Sequence, residues 1–301
     1  MKNNVRLLIS LFFTIITFNV QAWNKTGHIL ISEMACEQLG NEQLEKLNQI
    51  LDTVILKLQP EAKSIYNKQS YNLCKLAKLS ILPDYWRQHR FKDLASALQI
   101  TDSAILTTIG NQKTTDWHYR DKQTDTGKLN SVVEELIKNI KMTKSNDAKA
   151  LGLIFLTHLI EDAHQPLHSM SQTINKALKL NDRGGNLYCL RSSSKHQSNT
   201  CNYSLHNYWD NGGGLLTIKA AKLKSFAKNF NSTLKYSEQS CSDLTVQKWL
   251  DENSTYKKQI YHTSANKMPT KAYQSKAQEI AKERINLASC RLSTMIKSLL
   301  Q

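Results

Sequence analysis

A nearly unbroken apolar segment that ends among ionisable side chains constrains the fold of this chain more than any other feature. Residues 148–163 are almost all apolar, which predicts a helix that is buried on most sides. His158 and Asp162 lie four residues apart, so both project from one face of that helix. Pro166 cannot continue a helix interior, so the chain turns there and His168 points elsewhere.

Apolar residues recur at helical spacing along most of the chain, and only 10 Gly and 4 Pro occur among 301 residues. This pattern argues against a turn-rich sandwich or barrel. The sequence shows neither a repeat nor a low-complexity linker. We therefore expect an all-α, single-domain, multi-helix fold over residues 23–301, with a polar loop region between Ser169 and Ser204. The predicted helices cover residues 25–39, 41–58, 132–140, 148–163 and about 271–299.

Residues 1–22 have the features of a secretory signal peptide. Lys2 and Arg6 precede an apolar run of twelve residues, which is short for a bilayer span of about 20 residues. Cleavage after Ala22 would lower the net charge from +15 to +13 and free the α-amine of Trp23. The mature chain is then secreted or periplasmic, without stable membrane association; an uncleaved membrane anchor is the alternative. The positive charge suits a polyanionic partner, but it would equally suit an anionic membrane surface or serve solubility.

Six cysteines predict up to three disulfides, because an exported chain folds in an oxidising compartment. Fifteen ways of pairing six cysteines exist. Cys189 and Cys201 close a short polar loop and are the pair expected first. The remaining cysteines would pair as Cys36–Cys74 and Cys241–Cys290. The sequence has no Cys-x-x-Cys pair, which argues against a zinc site built from thiolates.

A second histidine and aspartate, His206 and Asp210, repeat the spacing of His158 and Asp162. A core histidine bonded to a neighbouring carboxylate would explain one such pair, but a second pair weakens that interpretation. Imidazole, carboxylate and a freed α-amine are all zinc ligands. The candidate ligands are Trp23 (amine and carbonyl), His28, Asp84, His118, His158, Asp162, His168, His206 and Asp210. These residues are more than one four-ligand site can use. Their number favours a cluster of zinc ions, which is typical of enzymes that cleave phosphoesters.

In this order, the motifs resemble the zinc-dependent single-strand-specific nucleases of the S1/P1 type. The resemblance begins with Trp-x-x-x-Gly-His at residue 23 and continues through His-x-x-x-Asp-x-His-Gln-Pro-Leu-His and Asp-Arg-Gly-Gly-Asn. It ends with His-x-x-Trp-Asp at residue 206 and so covers nearly the whole mature chain. It implies the helical fold that these nucleases share with zinc-dependent phospholipases C.

The resemblance also implies three zinc ions. The first would be bound by Asp84, His118, His158 and Asp162. The second would be bound by the backbone nitrogen and carbonyl of Trp23, by His28 and by the bridging Asp162. The third, more separate ion would be bound by His168, His206 and Asp210.

Four further residues align with the family pattern or lie beside it. Asp121 stands where the family has a carboxylate near the scissile phosphate and base. Arg87 stands where the family has an arginine that meets phosphate or orients that carboxylate. Tyr119 provides a ring for base stacking or packs in the core. Asn186 donates to phosphate or occupies the turn after two glycines.

The activity that follows from the resemblance is a zinc-dependent endonuclease for single-stranded DNA and RNA. A zinc-bound hydroxide would attack phosphorus in line and leave 5′-phosphate products, and 3′-nucleotides would be further substrates. We expect a monomer. The lysine-rich stretch from Lys219 to Lys228 is either a solvated helix face or a nucleic-acid groove.

Two alternatives remain at this point. A zinc-dependent phospholipase C has its first histidine further from the N-terminal tryptophan than His28 is from Trp23. Its last ligand is a glutamate, where this chain has Asp210. The other alternative is a secreted metal-binding or nucleic-acid-binding protein that lost turnover, against which the presence of Asp121 and Arg87 argues.

Overall fold

The computed structural model describes residues 23–70, 72–177, 180–191, 203–231 and 238–301. The signal segment and Cys201 lie outside the described residues. The α-helices are α1 Lys25–Glu37, α2 Asn41–Ile55, α3 Pro60–Asn67, α4 Lys75–Leu79, α5 Leu82–Tyr85, α6 Phe91–Ala97, α7 Leu129–Met142, α8 Asn146–Ala163, α9 Leu205–Asp210, α10 Leu223–Asn231, α11 Glu238–Ser242, α12 Val246–Ser254, α13 Lys257–Ile260 and α14 Lys271–Leu299. Short 3₁₀ segments cover Ser103–Ile105, Thr114–Trp117, Pro166–His168, Gly212–Gly214 and Ala220–Lys222. The predicted all-α, single-domain fold is confirmed.

Helix α8 forms the centre of the molecule, as its apolar sequence predicts. Every residue from Ala150 to Ala163 is buried, and α8 packs against α1, α2, α7 and α14. The Ser145 hydroxyl accepts a hydrogen bond from the Ala148 amide and caps the start of the helix. The helix ends at Ala163, ahead of Pro166. Burying polar side chains here is costly unless they find partners, so those near its end are expected to have specific ones.

Helix α14, with 29 residues the longest of the described helices, packs against α1, α8 and α11. It carries two buried arginines, Arg284 and Arg291, which both bond to Glu252 on α12. The disulfides Cys241–Cys290 and Cys36–Cys74 join α11 to α14 and α1 to the start of α4. Two of the expected pairs are therefore confirmed, and the third includes Cys201.

The region between Ser169 and Ser204 differs from the expected loop. It contains an antiparallel hairpin of β1 Thr173–Asn175 and β2 Leu180–Asn181, in which Thr173 pairs with Asn181. An alternation of apolar and polar residues indicates a strand only over about four residues or more. The two strands of this hairpin have three and two residues, so the sequence does not show them. A second, smaller apolar core lies in this part of the molecule and includes Leu167, Leu205, Trp209 and residues of α14. No helix in the described ranges is long and apolar enough to cross a membrane.

Candidate metal centre and adjoining cavity

The end of α8 brings His158 and Asp162 together with two residues from other parts of the chain. His158 Nδ1 donates to the Ser80 carbonyl at 2.7 Å, which turns Nε2 towards Asp162 Oδ2 at 3.4 Å and Asp84 Oδ1 at 3.7 Å. His118 Nδ1 lies 2.9 Å from Asp162 Oδ2 and 3.0 Å from His158 Nε2. The four residues predicted to hold the first ion therefore converge.

The N-terminal residues adjoin this group. His28 Nε2 lies 3.7 Å from Asp162 Oδ1 and 3.9 Å from Asp84 Oδ2, and its ring stacks on His158 at 4.1 Å. The Trp23 indole is buried and its Nε1 donates to the Glu161 carbonyl at 3.1 Å. This bond places residue 23 beside the end of α8, next to the predicted bridging carboxylate.

Glu161 is a buried residue of the site that the sequence analysis missed. Its Oε2 accepts a hydrogen bond from His28 Nδ1 at 2.6 Å, and its Oε1 accepts one from Ser32 Oγ. Glu161 also lies close enough to His28 and His158 to share a metal ion with them. Since both of its oxygens already accept hydrogen bonds, we interpret Glu161 as the residue that orients His28. The sequence offered one indication of this role, because Glu161 is an ionisable residue within the largely apolar stretch 148–163.

A third group of ligand atoms lies beyond Pro166. His168, His206 and Asp210 bring one ligand atom each within 4.8 Å of one another. His206 Nδ1 donates to the Gly184 carbonyl at 2.6 Å, so Nε2 faces Asp210 Oδ1 at 3.6 Å. Gln165 Nε2 donates to the same oxygen at 2.7 Å.

The motif Asp-Arg-Gly-Gly-Asn has a structural reason at Gly184. Its φ is +62°, and a Cβ there would lie 2.4 Å from the Leu167 carbonyl oxygen. Only glycine combines this left-handed conformation with such a close approach. The carbonyl that orients His206 is placed by this turn.

Several buried polar atoms of the three groups have no hydrogen-bond partner among the described residues. They include His28 Nε2, Asp84 Oδ1, His118 Nε2, Asp162 Oδ1 and Asp210 Oδ2. Unsatisfied buried polar atoms are rare in proteins, and these converge on shared spaces. Nitrogen and oxygen donors in such a set fit zinc, so the residues fit the predicted metal.

The carboxylates of the site are held away from water. Burial raises the pKa of Asp162 to about 6, although the adjacent His158 acts in the opposite direction. Burial also raises the pKa of Glu161 and Asp210 well above the usual range. A bound cation would supply the positive charge that favours their ionised forms.

The histidines respond to the same burial in two ways. Burial lowers the pKa of His28, aided by His158, and lowers the pKa of His118, aided by Arg87. Both rings are therefore neutral, which is the form that binds a metal. Burial acts on the pKa of His158 in the same direction, but Asp162 and Asp84 outweigh it and the pKa is raised.

An open cavity of about 560 Å³ adjoins the ligand groups. His168 and His206 line it together with three of the predicted site residues, Arg87, Tyr119 and Asp121. The exposed apolar side chains of the hairpin, Ile174 and Leu180, form part of its wall. A substrate in this cavity would therefore meet charged, aromatic and apolar groups beside the ligand cluster.

Asp121 and Arg87 are both buried and held at the cavity. Asp121 accepts hydrogen bonds from Ser171 Oγ at 2.6 Å and from the Gln123 amide at 2.9 Å. Arg87 Nη1 lies 3.7 Å from Asp84 Oδ1 and has no hydrogen-bond partner within the described part of the chain. A buried guanidinium donor with this freedom suits a phosphate oxygen.

Asn186 does not line the cavity. Its side-chain amide donates to the Arg183 carbonyl at 2.8 Å, which favours the turn interpretation. His164, which lies within the ligand motif between Asp162 and His168, points away from the cluster, with Nδ1 donating to the Ile160 carbonyl and Nε2 accepting from Arg291.

Clustered imidazoles and carboxylates beside an open cavity are typical of hydrolases that use several metal ions. Comparison with known families makes this class specific. The sequence profile of the S1/P1 nuclease family matches residues 23–301, and the chain belongs to this family. The protein is therefore a phosphodiester-cleaving enzyme of a family that is in general zinc-dependent. The search of curated proteins found no match.

Proposed function

We propose that this chain is an exported endonuclease that hydrolyses single-stranded DNA and RNA to products with 5′-phosphates, and that it also removes phosphate from 3′-nucleotides. The observation that carries the proposal is the shared cavity, in which Arg87, Tyr119 and Asp121 lie beside ligand residues His168 and His206. Two disulfides among the described residues support export to an oxidising compartment.

Three zinc ions would be held by the residues that converge at the ends of α8 and α9. Asp84, His118, His158 and Asp162 are assigned to the first, Trp23, His28 and Asp162 to the second, and His168, His206 and Asp210 to the third. Zinc, when bound, supplies a Lewis acid and lowers the pKa of water to about 7. Signal cleavage before Trp23 would provide the α-amine of the second site.

The protein residues have separate tasks in this proposal. Arg87 donates to the phosphate oxygens and compensates their charge. Asp121, fixed by Ser171 and Gln123, accepts hydrogen bonds from the nucleotide near the scissile phosphate. The Tyr119 ring stacks on a base, a contact worth about 1–3 kcal/mol per base, and stacking tolerates any base sequence.

The test uses protein that begins at Trp23 and is loaded with zinc. We expect rapid release of acid-soluble 5′-mononucleotides from single-stranded DNA and RNA, and complete loss of release with a chelator. Phosphate release from a 3′-nucleotide tests the second activity. A folded, zinc-loaded sample that releases nothing would contradict the nuclease proposal, and phosphatidylcholine would be the next substrate to try.

The role of Asp121 can be tested separately. Asp121→Asn keeps the size of the side chain and removes its charge, so we expect turnover to fall by at least about 100-fold. Zinc content, measured by mass spectrometry, should stay at the wild-type level. Wild-type turnover in this variant would remove Asp121 from the mechanism.

A further inference from the structure

A lysine-rich segment with no acidic residue lies next to the cavity lined by Arg87, Tyr119 and Asp121, which we call the catalytic cavity. Residues 257–276 contain five lysines and neither Asp nor Glu. The segment comprises α13, the turn that follows, and the first residues of α14. The segment therefore carries five positive charges that no acidic residue of the same segment offsets.

This segment lines a second surface cavity, of about 760 Å³, which we call the basic groove. Lys258, Lys267 and Lys276 line it, and all three are exposed. Lys276 has one acidic partner, Glu279, at 2.7 Å. Lys258 and Lys267 form no ion pair within the described residues. The basic groove thus presents cations that are available to an anion.

Apolar and aromatic surface lies among these lysines. Tyr261 is half-buried in the wall of the basic groove, and Met268 is 49% exposed. Lysines alone would suit any anion. Lysines interleaved with an aromatic ring and an apolar side chain suit a chain of phosphates that carries bases.

Lys257, next to groove residue Lys258, links the basic groove to the catalytic cavity through hydrogen bonds. Lys257 Nζ donates to the Ser171 carbonyl at 2.8 Å and to Gln123 Oε1 at 3.3 Å. Ser171 and Gln123 are the two residues that fix Asp121. Lys257, the first lysine of the segment, is therefore linked to the Asp121 carboxylate through one intervening residue, either Ser171 or Gln123.

A second link between the two cavities runs through Tyr188. Leu187 lines the catalytic cavity, and the next residue, Tyr188, contacts the ring of Tyr261 at 5.8 Å between centroids. Tyr261 in turn lines the basic groove. The linings of the two cavities are therefore joined through the single residue Tyr188 at this point.

We propose that the basic groove binds the sugar–phosphate backbone of a single-stranded nucleic acid at nucleotides beyond the one held in the catalytic cavity. This inference rests on the proposed nuclease function. Lysines that neutralise phosphates release counterions, so they contribute affinity in proportion to the number of phosphates contacted. The basic groove should therefore favour long substrates and leave the hydrolysis of a dinucleotide unchanged.

The stretch from Lys219 to Lys228 provides a matched control. Lys219, Lys222 and Lys228 are also exposed, but none of them lines the catalytic cavity or the basic groove. Their neighbour Lys224 approaches Glu33 at 3.6 Å, in a different cavity next to the Cys36–Cys74 disulfide. Replacing three lysines in either place changes the net charge equally.

The experiment compares Lys258→Gln/Lys267→Gln/Lys276→Gln with Lys219→Gln/Lys222→Gln/Lys228→Gln in the zinc-loaded enzyme. KM is measured for a dinucleotide and for a single strand of about 20 nucleotides. The long strand exceeds the roughly 4–16 nucleotides that a single-strand-binding domain typically covers. We expect the groove variant to raise KM for the long strand by at least roughly fivefold. This is the affinity that one phosphate contact on a single strand contributes through counterion release at about 0.1 M salt, relative to about 1 M salt. The control variant should have a much smaller effect, and neither should alter dinucleotide turnover.

Binding measured without turnover separates this inference from the proposed function. The dissociation constant of a hydrolysis-resistant phosphorothioate strand is measured at several salt concentrations. The slope of its logarithm against the logarithm of salt concentration should be smaller in the groove variant, by up to about 2. Equal losses in the two triple variants would overturn the inference, as would a loss on the dinucleotide. Wild-type protein that binds the strand but cleaves nothing would contradict the nuclease proposal and leave the basic groove standing.

Discussion

At the scale of single residues, partners outside the ligand set decide which ring nitrogen a histidine presents to the cluster. The carbonyls of Ser80 and Gly184 accept from Nδ1 of His158 and His206. A carbonyl can only accept, so each Nδ1 carries the proton and each Nε2 keeps its lone pair for a ligand. Glu161 does the same for His28.

Glu161 is the most informative residue to change. Glu161→Leu removes both acceptors and frees the His28 ring to rotate, so we expect zinc affinity to fall by about 10–100-fold. Competition with a chromophoric chelator measures this without relying on turnover. Glu161→Gln retains one acceptor oxygen, so its zinc affinity should lie between those of wild type and Glu161→Leu. A Leu variant with wild-type zinc affinity would show that His28 is oriented by other contacts.

At the scale of elements, α12 and α14 are joined by a charged network behind the end of α8. The guanidinium groups of Arg284 and Arg291 are almost fully buried, whereas Glu252 keeps 36% of its side chain exposed. Arg284 also donates to the His164 carbonyl, and Arg291 to the His164 ring. The network therefore supports the turn that leads from α8 towards His168.

Glu252→Gln should destabilise the fold, because two buried cations would lose their shared counter-charge. We expect a loss of about 2–4 kcal/mol in the free energy of unfolding, measured by urea denaturation at pH 7. Asp93→Asn, which removes an exposed partner of Arg90 at 2.8 Å, is the control and should cost less than about 1 kcal/mol.

The pH dependence of this difference has a definite sign. The arginines outweigh burial and lower the pKa of Glu252 in the folded chain. The contribution of Glu252 is therefore present above its unfolded pKa and is lost as pH falls through the folded value. The difference between wild type and Glu252→Gln should shrink below pH of about 4.5; a constant difference would contradict this account.

At the scale of the whole molecule, the candidate ligands come from widely separated parts of the chain, so metal ions bound by them would also stabilise the fold. Removing zinc leaves buried carboxylates without a counter-charge. We expect a chelator to lower the melting temperature, with each site losing about 2.7 kcal/mol if free zinc had been 100-fold above its Kd. Chelator already saturated with zinc is the control. An unchanged melting temperature would mean that the sites contribute nothing to stability.

The sequence predicts some parts of this molecule well because they depend on local spacing. His158 and Asp162 share a helix face at four residues apart, and Pro166 marks the end of α8. The role of Glu161 could not be predicted, because it depends on α1 packing against α8. Gly184 and Lys257 were missed for the same reason: each acts through a contact with a residue distant in sequence, and spacing carries no information on such contacts.

The burial of Trp23 has a consequence for the cell that makes this enzyme. The Trp23 indole donates to the Glu161 carbonyl, and the Asn24 amide donates to the Asp210 carbonyl at 2.9 Å, so residues 23 and 24 are held between α8 and α9. While residue 22 is attached, the Trp23 nitrogen is a planar amide whose lone pair is delocalised and cannot serve as a ligand. Under the proposed export and metal assignment, we expect the uncleaved chain to lack one ligand of the second site and to gain activity only on cleavage. Such a chain would acquire its complete ligand set only after it has left the compartment in which it is made, so the RNA of that compartment would not be exposed to the active enzyme.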